Sequence, residues 1–74
     1  MSTTGKYPVS DLEYSIVTTL SNLLQGIETL TKYEADAEQA GDSETAGVFR
    51  NILQSYHENA TQLHRALGRV VNQS

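Results

Sequence analysis

Apolar residues recur along two stretches of the chain at steps of three and four, with polar residues between them. The first run is Leu12, Ile16, Leu20, Leu23, Leu24, Ile27 and Leu30, continued by Tyr33 or Ala37. The second is Ala46, Phe49, Ile52, Leu53, Tyr56, Ala60, Leu63, Leu67 and Val70, and Asn59 falls on the same face. This spacing places each run on one side of a helix. Val17, Thr18 and Thr19 are β-branched and weaken helix propensity locally, but the periodicity outweighs them. Between the runs lies Ala40-Gly41-Asp42-Ser43. Glycine ends helices by taking a left-handed conformation, whereas Asp and Ser start them by accepting a hydrogen bond from a free backbone N–H. The pattern predicts helix 1 over about 10–40, a turn at 41–42 and helix 2 over about 43–71. So short a connection forces the second helix back beside the first. The expected fold is all-α, an antiparallel two-helix hairpin.

Residues 1–9 are polar, contain Gly5 and show no periodicity, so they read as a flexible N-terminal arm. Pro8 sits at or just before the helix start. Ser10 or Asp11 is the expected N-cap, and Ser10 and Glu13 have the spacing of a capping box. Gly26 lies on or beside the apolar stripe, where it admits a neighbouring helix or leaves room for a side chain as large as Tyr56. The far half of helix 1 carries Glu28, Glu34, Asp36 and Glu38 against Lys32 alone. That arrangement opposes the helix dipole and reads as a solvated acidic face.

Two helices share a single seam, and each keeps an apolar flank that the other does not cover. A chain of 74 residues without cysteine has no disulfide to compensate, so the expected solution is a homodimer forming a four-helix bundle. The net charge is −4, and the five Lys and Arg residues are scattered, which argues against nucleic acid as a partner. No run approaches the ~20 apolar residues of a membrane span, and no signal-peptide pattern opens the chain. No membrane partner is expected, and the expected compartment is the cytoplasm. Asn59-Ala60-Thr61 matches the glycosylation sequon and reads as a chance match.

The residues offer little chemistry. There is no cysteine, nothing brings a serine, a histidine and an acid together, and Gly41 stands alone rather than in a phosphate-binding loop. No catalytic residue and no enzyme activity are expected. His57 and His64 are two turns apart, roughly 10 Å by the helical rise, too far to share one metal ion. Glu58 adjoins His57, and His64 is expected across from Glu28, Glu34 or Glu38. The two histidines read as surface residues flanking the seam, with a pH-sensitive interface as a second reading.

Tyr33-Glu34-Ala35-Asp36-Ala37-Glu38-Gln39-Ala40-Gly41-Asp42, then Phe49-Arg50-Asn51-Ile52, then Asn59-Ala60 with Leu63, resemble half of the ferritin-like superfamily. The likeness is to the helical hairpins of the rubrerythrin and encapsulated-ferritin types, over residues 20–70. Such families carry an aromatic, an alanine-rich turn with Gly or Asp at the break, Phe-x-x-Ile, and then Glu-x-x-His-Ala-x-x-Leu. Here the Glu position falls on Tyr56, the His position on Asn59, and the first-helix glutamate on Leu23 or Gly26. The resemblance therefore implies a ferritin-like bundle whose di-iron ligands are lost and whose metal space is refilled by packing.

The expected function is a non-catalytic helical assembly or protein-interaction module, with no cofactor. Its oligomer core is expected to comprise Leu23, Ile27, Phe49, Ile52, Tyr56, Asn59 and Leu63, with Tyr56 and Asn59 needing buried hydrogen-bond partners. The alternative is a ferritin-like protein binding iron or zinc between subunits through Glu28, Glu34, His57 and Glu58. That site requires helix 2 to turn by about 100°. Phe49, Ile52, Tyr56 and Leu63 would leave the seam, at about 1.5–3 kcal/mol for each large side chain. The apolar face is expected to look inward. The pattern is also compatible with a small apolar ligand between the helices and with an unidentified protein partner.

Overall fold

The computed structural model describes residues 8–73, which form two helices, α1 (Asp11–Gln39) and α2 (Ser43–Gln73). The flexible-arm expectation concerns residues 1–9 and so falls mostly outside the described residues. Helix α2 continues two residues past the expected end, through Asn72 and Gln73. No strand occurs among the described residues.

Both helix starts are capped by the residue types that announced them. Ser10 is the N-cap of α1: its Oγ accepts the Glu13 backbone N–H at 3.0 Å and its hydroxyl faces the Glu13 carboxylate at 3.4 Å. This is a capping box in which the glutamate meets the hydroxyl. Only 2% of Ser10 is exposed. At α2, Asp42 Oδ1 accepts the Thr45 backbone N–H at 3.0 Å, and Oδ2 accepts the Thr45 hydroxyl at 2.6 Å. These two bonds, the side-chain one foremost, hold the Asp42 carboxyl below its ordinary pKa.

The turn is a Schellman arrangement. Asp42 N–H donates to Ala37 O and Gly41 N–H donates to Glu38 O, each at 3.0 Å. Gly41 lies at φ +79°, the left-handed conformation this motif needs.

The chain doubles back antiparallel, as the contacts across the seam record. Arg50 meets Glu34 and Glu38 near the turn, Tyr56 meets Gly26 farther along, and Leu20 and Leu24 lie beside Ala60 and His64 nearer the open end. The inward positions alternate in steps of three and four throughout. On α1 they are Glu13, Ile16, Leu20, Leu23, Ile27, Leu30, Glu34 and Ala37; on α2 they are Ala46, Phe49, Leu53, Tyr56, Ala60, Leu63, Leu67 and Val70. Strict alternation of this kind is the heptad pattern of a two-stranded coiled coil. Two seam positions hold glutamates, and each has a partner: Glu13 with the Ser10 cap and Glu34 with Arg50.

The seam is narrower than the apolar stripes suggest. Leu12 (53% exposed), Leu24 (50%), Tyr33 (46%) and Ile52 (37%) lie outside it. Consecutive residues differ by about 100° around a helix, so Leu23 and Leu24, or Ile52 and Leu53, cannot both point inward. Asn59 is also exposed rather than within the seam. Exposed Ser and Thr hydroxyls along the helices, Ser15, Thr29, Thr31 and Thr61, bond back to the carbonyl four residues earlier.

Candidate functional site

The heptad phase divides the surface of the hairpin into two long flanks, one on each side of the seam. The first comprises residues that follow seam positions. On α1 these are Val17, Leu24, Thr31 and Glu38; on α2 they are Arg50, His57, His64 and Val71. Contacts confirm that they share a side, since Arg50 bonds Glu38 and His64 lies with Leu24. This flank is polar and charged near the turn and apolar toward the open end.

Arg50 is the electrostatic centre of that flank. Its Nε donates to Glu34 Oε2 at 2.9 Å and its Nη2 donates to Glu38 Oε1 at 3.2 Å. Helix α1 has no basic residue in its last turn, and Arg50 supplies the missing cation from the neighbouring helix. The acidic end of α1 is therefore partly neutralised across the seam.

The opposite flank comprises residues that precede seam positions. On α1 these are Leu12, Thr19, Gly26 and Tyr33; on α2 they are Thr45, Ile52, Asn59 and Ala66. Aromatic rings gather here. The Tyr33 and Phe49 rings are 5.9 Å apart at a tilt of 52°. The Tyr56 ring lies over Gly26, where a Cβ would sit 2.7 Å from Tyr56 Cε2 and 3.2 Å from Cδ2. Gly26 is thus the room for Tyr56 that the spacing suggested.

Five of the expected oligomer-core residues, Leu23, Ile27, Phe49, Tyr56 and Leu63, line the seam and are half-buried. Ile52 and Asn59 stand outside it on the aromatic flank. Tyr56 is not fully enclosed and Asn59 is exposed, so neither needs a buried partner inside a single hairpin. Sequence reasoning did not distinguish seam from flank, although the three-four alternation carries that information once its phase is anchored.

The residues named for a metal site are spread apart. Glu34 is engaged by Arg50, Glu28 is exposed on α1, and His57 and Glu58 border an open depression with Thr61, Gln62 and Arg65. The expectation that His64 faces Glu28, Glu34 or Glu38 is corrected. His64 lies with Leu20, Leu24, Ala60 and Thr61, because a residue this far beyond the turn sits beside the first half of α1. No group of three or more His, Cys, Asp or Glu able to hold a metal occurs among the described residues. None of the described helices is long and apolar enough to cross a membrane. No family model matches the chain, and neither a curated protein nor a solved structure matches it.

Proposed function

We propose that this chain is a non-catalytic assembly module that works by self-association, most simply as a homodimer closing a four-helix bundle. One observation carries this reading. The buried apolar residues are Ile16, Ala37, Ala46, Leu53 and Ala60, and three of these five are alanines. Leu12, Val17, Leu24, Tyr33, Val48, Ile52 and Val71 meanwhile stay 37% to 53% exposed. A fully buried Leu or Ile contributes about 1.5–3 kcal/mol, so the lone hairpin forgoes much of what its apolar residues could provide. A chain of this size without disulfides needs that contribution. Covering a flank with a second hairpin supplies it.

A degenerate ferritin-like ancestry is part of the same proposal, and the Tyr56–Gly26 contact is compatible with it. The resemblance places glutamate ligands at Tyr56 and at Leu23 or Gly26, and with the Gly26 alignment the Tyr56 ring fills the space between the two positions. The test is sedimentation equilibrium combined with circular dichroism. A helical species of twice 8.1 kDa is expected at micromolar concentration. A helical monomer persisting to millimolar concentration would refute the proposal.

A further inference from the structure

We infer that the second copy covers the flank bearing Leu12, Tyr33, Ile52 and Asn59, and not the flank bearing Arg50 and the two histidines. The inference rests on the self-association proposed above and specifies its surface.

The two flanks differ in charge more than in apolar content. The eight positions of the aromatic flank nearest the seam, four on each helix, are uncharged, and the charges on that side are Asp36 and Arg69 at its outer edges and Asp42, bonded to Thr45 at the turn. The opposite flank carries Glu38 and Arg50 near the turn and His57 and His64 along α2. Burying that side would strip water from the Arg50 pair and from both imidazoles, a cost that ion pairing often fails to recover. Burying the middle of the aromatic flank desolvates hydroxyls and the Asn59 amide, which can hydrogen-bond across an interface, and leaves Asp36, Asp42 and Arg69 at its edges.

Charge also selects the occupant. The chain carries a net −4, so two copies repel one another in most orientations. The aromatic flank is a side on which a like-charged copy can approach with carboxylates only at the turn end, at Asp36 and Asp42. A strongly basic or acidic partner finds little charge there to pair with, whereas another copy presents the same largely neutral surface about a two-fold axis. The area suffices. The hairpin measures 54 × 20 × 11 Å, so its broad face offers on the order of 1,000 Å², against the ~800 Å² per partner of a standard interface. Tyr33, Phe49 and Tyr56 place aromatic rings along this side, the residue class enriched at interface centres.

The experiment places one carboxylate on each flank of the full chain, as Ile52→Glu and Leu24→Glu, both at residues already exposed in the hairpin. Sedimentation equilibrium is expected to show dimerisation weakened by ~100-fold or more for Ile52→Glu, as for a like charge placed opposite itself in an interface. Leu24→Glu should change it by no more than about threefold. Because a weakened dimer can also lose helix, single cysteines are introduced into the cysteine-free chain as Asn59→Cys and Leu24→Cys. The rate of iodoacetamide labelling is then followed against protein concentration. Protection that grows with concentration at position 59, and is absent at 24, is the expected result. The reverse pattern, or equal protection, overturns the choice of flank while leaving self-association intact. A helical wild-type chain that stays monomeric overturns the underlying reading itself.

Discussion

Replacing Gly26 by alanine tests the contact on which the middle of the hairpin depends. Two effects of opposite sign meet at this position. Alanine is a better helix former than glycine by about 1 kcal/mol, so in open space the substitution stabilises. Here the new methyl carbon would stand 2.7 Å from Tyr56 Cε2, well inside the 3.5–4.0 Å at which carbon atoms attract. The ring has to retreat by nearly an ångström, and overpacking of that kind costs about 1–3 kcal/mol. The expected net result is between neutrality and a loss of about 2 kcal/mol. Removing the ring removes the second effect: on a Tyr56→Ala background, Gly26→Ala should stabilise by about 1 kcal/mol. The coupling energy of the double-mutant cycle is therefore about 1–3 kcal/mol, beyond the few tenths that separate independent sites. Urea denaturation followed by circular dichroism measures it, with total protein concentration held constant because self-association shifts apparent stability. Gly68→Ala is the control, since nothing lies within 4 Å of a Cβ built there. If Gly26→Ala stabilises the wild-type chain as much as Gly68→Ala does, the steric account of this contact is wrong.

Gly41→Ala should cost about 1 kcal/mol in urea melts although it removes no contact, because φ +79° is strained for a residue with a Cβ. Ser10→Ala removes the acceptor of the Glu13 N–H and should destabilise by about 1 kcal/mol, read from the same melts. The Asp42 cap gives a pH dependence of definite sign. Its pKa is depressed on folding, so its contribution is complete above the ordinary aspartate value of ~4 and is lost as pH falls through the folded value. Thermal melts between pH 6 and 2 should show Asp42→Asn removing part of the acid sensitivity, and an unchanged profile would refute the assignment. Arg50→Met should weaken the hairpin by less than about 1 kcal/mol, less still in high salt, because the pair is largely exposed.

The hairpin was legible in the sequence because its signals were local and agreed with one another. The Ala40-Gly41-Asp42-Ser43 break, the Ser10 cap and the three-four recurrence each rest on short-range chemistry, and each reappears in the fold. Gly26 and Tyr56 were legible as a pair because a glycine in an apolar stripe calls for a large neighbour. Seam and flank were harder to separate. Apolar residues at successive positions, such as Leu23 and Leu24, widen the stripe without saying which of them points inward, and only packing against α2 decides. Asn59 was drawn into the stripe for the same reason, since it adjoins Ala60, the true seam residue. The position of His64 depended on register, which follows from counting outward from the turn rather than from the acids that could attract a histidine.

The turn between Ala40 and Asp42 has a consequence for chain exchange. Hairpins with short connections can open, fuse their two helices into one rod and trade halves with a neighbour. In this chain the last seam residue of α1, Ala37, and the first of α2, Ala46, are nine positions apart. These two are not equivalent in the repeat; the equivalent seam positions Glu34 and Ala46 are twelve residues apart, which on an unbroken helix is about 1,200° at ~100° each and leaves the two apolar stripes about 120° apart around the rod. No single partner rod could then cover both stripes. The spacing across the turn thus sets the closed hairpin against the swapped form, and it does so through phase alone, independently of any contact the turn makes. Lengthening that spacing by about two residues, which brings equivalent seam positions a whole number of seven-residue repeats apart, would remove the barrier and invite exchange.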